Sequence, residues 1–168
     1  MKHFYLKQKV FSVRDKYKVH DANQNVVYHC RSSMFSLRHK LNFFETKSEK
    51  LLFTFKRKLL SFMPTYYLYD QEGEHLAKVR RKWTLLRPKV FVESSIANYQ
   101  IDGDYWSHSF VILDQQHEVA SVRKKFLSWG DSYEISIDDD QNDEFLLALV
   151  VSIDSIFHSK KSKKRRRY

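Results

Sequence analysis

About four times along this chain an alternating apolar stretch ends in an acidic residue, crosses a polar turn and restarts as a second alternating stretch that ends in bases. The first copy runs from Tyr17 to Asp21, turns through Ala22 to Asn25 and returns from Val26 to Arg31. The second runs from Leu41 to Glu45, turns through Thr46 to Lys50 and returns from Leu51 to Lys58. The third runs from Tyr66 to Asp70, turns at Glu72-Gly73 and returns from Leu76 to Lys82, and the fourth runs from Ser109 to Asp114, turns through Gln115 to Glu118 and returns from Val119 to Lys125. Strand-length runs of Val, Ile, Phe and Tyr bounded by turn formers are antiparallel hairpins, because alternate side chains can then share one buried face. Lys89 to Glu93, Asn98 to Ile101 with a tight turn expected at Asp102-Gly103, and Ser132 to Asp138 add further strands. The total is about a dozen short strands at the spacing of a barrel or sandwich.

The pattern changes at the acidic cluster Asp138 to Glu144, which precedes Phe145 to Phe157. Acids in a first turn complement the helix dipole, and Asn142 or Asp140 is suited to cap it. The spacing predicts a helix over about 142–158. It is apolar nearly all round, as a helix surrounded by protein must be, so the β shell is expected to enclose it. At 168 residues with 42% hydrophobic and 15% aromatic side chains, one core suffices. Residues 1–159 read as a single domain and 160–168 as a basic, disordered tail.

In order and spacing, several segments together resemble the LURP-one-related family, which belongs with the tubby C-terminal-like and phospholipid scramblase domains. They are Tyr5 to Ser12, the hairpins ending in Asp21, Asp70 and Asp114, Ile101 to Trp106, Trp129 to Glu134, and Ala148 to Asp154. The resemblance implies a mainly β, closed antiparallel barrel of about twelve strands around one hydrophobic C-terminal helix. Turns where such proteins often carry Gly here carry Gln24-Asn25 and Gln115-Gln116-His117. Tubby-like members bind phosphoinositides and scramblases are membrane proteins, so the resemblance also implies an anionic ligand such as a phospholipid headgroup. Fold alone is a poor guide to activity.

Only three glycines occur, which excludes Gly-rich phosphate loops. Cys30 is the single cysteine, so no intramolecular disulfide and no thiolate zinc site can form. With no signal-peptide pattern at the N-terminus and no apolar run of membrane-spanning length, a cytoplasmic chain is expected, with peripheral membrane attachment at most. His29 and Cys30 adjoin in a strand and must point to opposite faces, so they cannot pair as base and nucleophile. The eight histidines show no metal-binding spacing. Asp138, Asp140 and Asn142 mimic the start of an EF-hand loop, but Asp143 stands where Gly is needed and Leu149 where the bidentate Glu is needed. Asp154 is the oddity of the apolar helix: a buried carboxylate needs a partner, expected as barrel backbone or an arginine. No catalytic residue, metal or cofactor is assigned. An enzymatic site built from distant residues such as Asp102, His108 and Asp154 is the least favoured of three readings.

The remaining signal is charge. The net charge of +10 is mostly the tail residues Lys160, Lys161, Lys163, Lys164, Arg165, Arg166 and Arg167, which leave the rest of the chain at only about +3. Within the body, Lys56-Arg57-Lys58, Arg80-Arg81-Lys82 and Arg123-Lys124-Lys125 each follow an acidic turn by about ten residues, so stacked hairpins would carry bases to one rim and acids to the other. A basic rim with Trp83, Phe126 or Trp129 nearby suits a phosphate or lipid headgroup, with the tail as an electrostatic tether; strand-end charges that only solubilise the barrel and guard its edges are the plainer reading. The expectation is a non-enzymatic domain that binds an anionic ligand at the inner membrane surface. The alternative is a nucleic-acid-associated protein that uses the tail.

Overall fold

The computed structural model describes residues 1–8, 15–32, 40–82, 89–105, 107–127 and 130–158. Twelve strands precede one helix: β1 (Lys2–Gln8), β2 (Asp15–His20), β3 (Val26–Ser32), β4 (Lys40–Glu45), β5 (Leu51–Arg57), β6 (Thr65–Tyr69), β7 (His75–Lys82), β8 (Lys89–Ser94), β9 (Tyr99–Asp104), β10 (Ser109–Asp114), β11 (His117–Leu127), β12 (Gly130–Ile137) and α1 (Asp143–His158). Each strand pairs with the next in the chain, and β1 closes on β12, with Lys2 opposite Ile137 and Leu6 opposite Tyr133. A sheet closed in this way has no free edge.

The alternation that built the hairpins also fills the interior. Leu41 and Phe43 of β4, Phe53 and Phe55 of β5, Leu68 of β6 and Val79 of β7 are buried toward the axis. The helix fills what they leave: every residue from Phe145 to Phe157 is buried. Phe145 meets Phe53 edge-on and lies against Tyr99, which wedges the first turn of α1 between β5 and β9. Asn142 caps the helix, its Oδ1 accepting from the Phe145 amide at 3.0 Å. Lys2 reaches Asp143 at 2.9 Å and so ties β1 to the acidic first turn.

Because the strands run alternately up and down, the connections sort to two ends. The turns after β2, β4, β6, β8 and β10, with the lead-in to α1, lie at one end; residues 58–64 and the connection from β9 to β10 lie at the other, with the C-terminus of α1. The expected turn at Asp102-Gly103 is not there. Both residues lie within β9, paired with Val111 and Phe110. Gly103 has φ +130°, and a Cβ on it would stand 2.5 Å from the Ser109 carbonyl oxygen and 2.6 Å from the Phe110 Cα, so glycine permits a close strand approach here. The Gly-poor turns are made with left-handed polar residues instead. Gln24 has φ 69°, and Gln115 and Gln116 have φ 47° and 71° in a two-residue hairpin turn. Among the described residues no helix is long and apolar enough to cross a membrane.

Candidate functional site

The end of the barrel that holds the C-terminus of α1 is the one to which the three basic triplets run. Alternation divides them. Arg57 shares its face with buried Phe55 and pairs with buried Tyr66; Arg81 follows buried Ala77 and Val79; Lys124 follows buried Ala120 and Val122. These three occupy inward-facing register positions at this end of the barrel, its mouth, with Arg81 buried, Arg57 half-buried and Lys124 exposed. Arg81 is the most deeply placed, with its guanidinium 4.9 Å from the centre of the Phe157 ring in the last turn of α1. Burial pulls its pKa below the ordinary arginine value. A cation at this point also complements the negative end of the helix.

The other members of the triplets lie on the outer wall. Lys56 stands over Tyr69 at 4.2 Å, Arg80 contacts Glu93 at 3.3 Å, and Lys82 stands over Phe91 at 5.8 Å. Lys125 is bonded to Glu134 at 2.8 Å, Arg123 is exposed opposite Glu134, and Lys58 is exposed just beyond β5. The three triplets therefore reach one end, but they do not form one nine-residue patch.

Beneath the mouth lies a buried polar cluster. Tyr17 Oη donates to Asp154 Oδ2 at 2.7 Å, His108 Nε2 donates to Asp154 Oδ1 at 2.8 Å, and Ser155 Oγ lies 3.1 Å from Tyr17 Oη. The carboxylate expected to bond to backbone or arginine is thus held by a tyrosine from β2 and a histidine from the β9–β10 connection. His108 takes a left-handed φ of 55° and stacks on Tyr133 at 3.8 Å, which fixes its ring. Burial, and then the neighbouring Asp154 charge, pushes the Tyr17 hydroxyl well above its usual pKa, so it stays a donor. Asp102, the third residue of the enzymatic alternative, is exposed on the outer wall of β9, apart from His108 and Asp154. His29 and Cys30 do face opposite ways, with Cys30 beside Phe43 in the core and His29 stacked on Phe44 outside it.

The opposite end is acidic. Asp21, Glu45, Asp70, Glu74, Asp114, Asp138, Asp139 and Asp140 lie in or beside its turns. Asp138 accepts a backbone bond from Gln141, so the segment that mimics an EF-hand is a turn that leads into a capped helix. Among the described residues no group of three or more His, Cys, Asp or Glu side chains is placed to hold a metal ion.

The LURP-one-related family model matches residues 2–154. The chain belongs to the LURP-one-related family. A relative in Bacillus subtilis (strain 168), the uncharacterised protein YxjI, is 32% identical over 155 residues, which cover 92% of this chain and 93% of that one. An X-ray structure of an Arabidopsis thaliana protein has the same fold, with a TM-score of 0.62 at 16% identity, over 92% of this chain and 89% of the other.

In this LURP-one-related barrel the tail residues Lys160, Lys161, Lys163, Lys164, Arg165, Arg166 and Arg167 lie outside the described residues, as do Trp83 and Trp129. The feature that sequence reasoning passed over is the stretch Leu59-Leu60-Ser61-Phe62-Met63 between β5 and β6, at the basic end. Its signal was available: connections are normally polar, and this one is apolar.

Proposed function

We propose that this LURP-one-related barrel is a non-catalytic binding module that takes an anionic, phosphate-bearing ligand, such as a phospholipid headgroup, at its cationic mouth on the inner face of a membrane. The observation that supports this reading is the segregation of charge along the barrel axis, with Arg57, Arg81 and Lys124 turned toward the mouth at one end and the acidic turns at the other. Such a dipolar barrel orients in the field of an anionic surface with its basic end down. Arginine supplies bidentate contacts to phosphate oxygens and lysine a point charge. The buried Tyr17–Asp154–His108 cluster serves in this reading as the anchor that keeps α1 in place beneath the mouth. The tail adds non-specific attraction.

The test is co-sedimentation of the full chain, residues 1–159 and the Arg57→Glu/Lys124→Glu variant with phosphatidylcholine vesicles, with and without phosphatidylserine, at two salt concentrations. Each base near an anionic surface contributes about 1 kcal/mol, so the double reversal is expected to weaken binding to anionic vesicles at least about tenfold, with neutral vesicles ignored. Equal binding by the double variant, or indifference to phosphatidylserine, refutes the mouth as the site. Tighter binding to duplex DNA than to vesicles, abolished by truncation after residue 159, replaces this reading with the nucleic-acid one.

A further inference from the structure

Exposed apolar side chains are normally scattered singly over a protein surface; of the six large ones exposed among the described residues, Leu59, Leu60 and Phe62 fall within four residues of one connection, while Met1, Phe91 and Ile96 are scattered. Leu60 and Phe62 are 105% and 106% exposed, so neither touches the barrel with its side chain to any useful extent. The connection is not slack. The Lys58 amide donates to the Thr65 carbonyl at 2.9 Å and closes its base, and the Arg81 amide donates to the Pro64 carbonyl at 3.1 Å and ties it to β7. Ser61 Oγ and Thr65 Oγ1 both donate to the Met63 carbonyl, at 2.6 and 3.2 Å. Leu60 sits at a left-handed φ of 54°, where a leucine is strained. The polar groups of this loop are thus spent on its own backbone while its apolar side chains are held outward, the reverse of a loop shaped for water.

Its surroundings identify the occupant. Lys56, Arg57 and Lys58 lead directly into the loop, and Arg81 and Lys82 end the strand to which it is tied. A convex apolar tip ringed by bases fits a surface that is anionic at its face and hydrocarbon just beneath. We infer that residues 58–64 are a membrane-insertion loop: Leu60 and Phe62 enter the acyl region of an anionic bilayer while the bases of the mouth and loop contact the headgroups. The inference rests on the reading of the mouth as an anion site and names the bilayer as the source of its anion.

The experiment labels Phe62→Cys with an environment-sensitive nitrobenzoxadiazole dye under native conditions, where buried Cys30 is protected. In parallel, the otherwise unaltered Leu60→Ser/Phe62→Ser chain is compared with the parent for partitioning onto phosphatidylcholine/phosphatidylserine vesicles, for pyrophosphate binding by calorimetry, and for thermal melting and sedimentation. The dye is expected to brighten and shift to the blue on anionic vesicles only. The serine variant is expected to lose about tenfold or more in vesicle partitioning, with pyrophosphate binding and melting unchanged because both side chains are exposed. Dye that stays in water on sedimented protein, or unchanged partitioning of the serine variant, overturns the loop while leaving the mouth standing if pyrophosphate still binds. Insertion without pyrophosphate binding overturns the mouth and supports the loop. Self-association of the parent that the serine variant lacks, with no vesicle binding, assigns the tip to a second copy of this chain and overturns the bilayer.

Discussion

Among the described residues Asp154 is the buried carboxylate, and a lone ionised carboxylate this deeply buried would cost several kcal/mol. Tyr17 and His108 offset it by aiming two donors at its two oxygens. Tyr17→Phe keeps the ring and removes one donor, so it is expected to destabilise the barrel by about 1–3 kcal/mol at neutral pH, read from urea unfolding. The pH dependence follows from the raised Tyr17 pKa, caused first by burial and then by Asp154. Above pH ~10 the unfolded chain releases this proton while the folded barrel retains it, so stability falls as pH rises. The phenylalanine variant lacks this dependence, and the gap between the two proteins should be full below pH ~10 and narrow above it; a constant gap would show that Tyr17 does not titrate differently on folding. That Asp154 needed partners was legible in the sequence. Which residues supply them was not, because Tyr17 and His108 stand 137 and 46 positions away and meet it only when β2 and the β9–β10 connection converge on the helix.

At the level of elements, the hairpins were readable because alternation and turn composition act within a few residues. The β10–β11 turn shows where local rules give way. Two consecutive left-handed residues are the geometry that Asn-Gly favours, and here two glutamines adopt it, with φ 47° and 71°. A non-glycine residue in that region carries a cost of about 1 kcal/mol. Gln115→Asn/Gln116→Gly is therefore expected to stabilise the barrel by about 0.5–1 kcal/mol, read as a raised midpoint in urea; a lowered midpoint would mean that the glutamine side chains make compensating contacts. Gly103 misled for the opposite reason. Asp-Gly is a good turn signal, but here the glycine is spent on contact with β10, a demand set by a neighbouring strand. The bounds of the loop after β5 were legible, with Lys58 closing one strand and Tyr66 opening the next, but apolar residues in a connection can fold back onto a core, and only the structure shows Leu60 and Phe62 held outward.

On the scale of the whole molecule, closure is decisive. β1 pairs with β12 across nearly the full length of the chain, and with β2 on its other side. Deleting residues 2–8 would bare an edge on each of β2 and β12 and open a wall against α1. The shortened chain is expected to aggregate or to lose its cooperative melting transition, measured by size-exclusion chromatography and circular dichroism; a monomer that melts like the parent would show that closure is dispensable. The charge dipole also belongs to this scale, since acids and bases separated by about ten residues in each hairpin become opposite poles only when the hairpins stack in register.

The sequence by itself determined the hairpin meander and the buried helix with a cap at Asn142 or Asp140, because each depends on periodicity or on neighbours within one or two turns, and it put acids and bases at opposite ends of each hairpin; the structure chose Asn142. Only the tertiary structure decided which bases face the mouth, what holds Asp154, and that Leu60 and Phe62 stand free in solvent. Those outcomes depend on pairing register and on barrel closure, which bring together residues that no local rule connects.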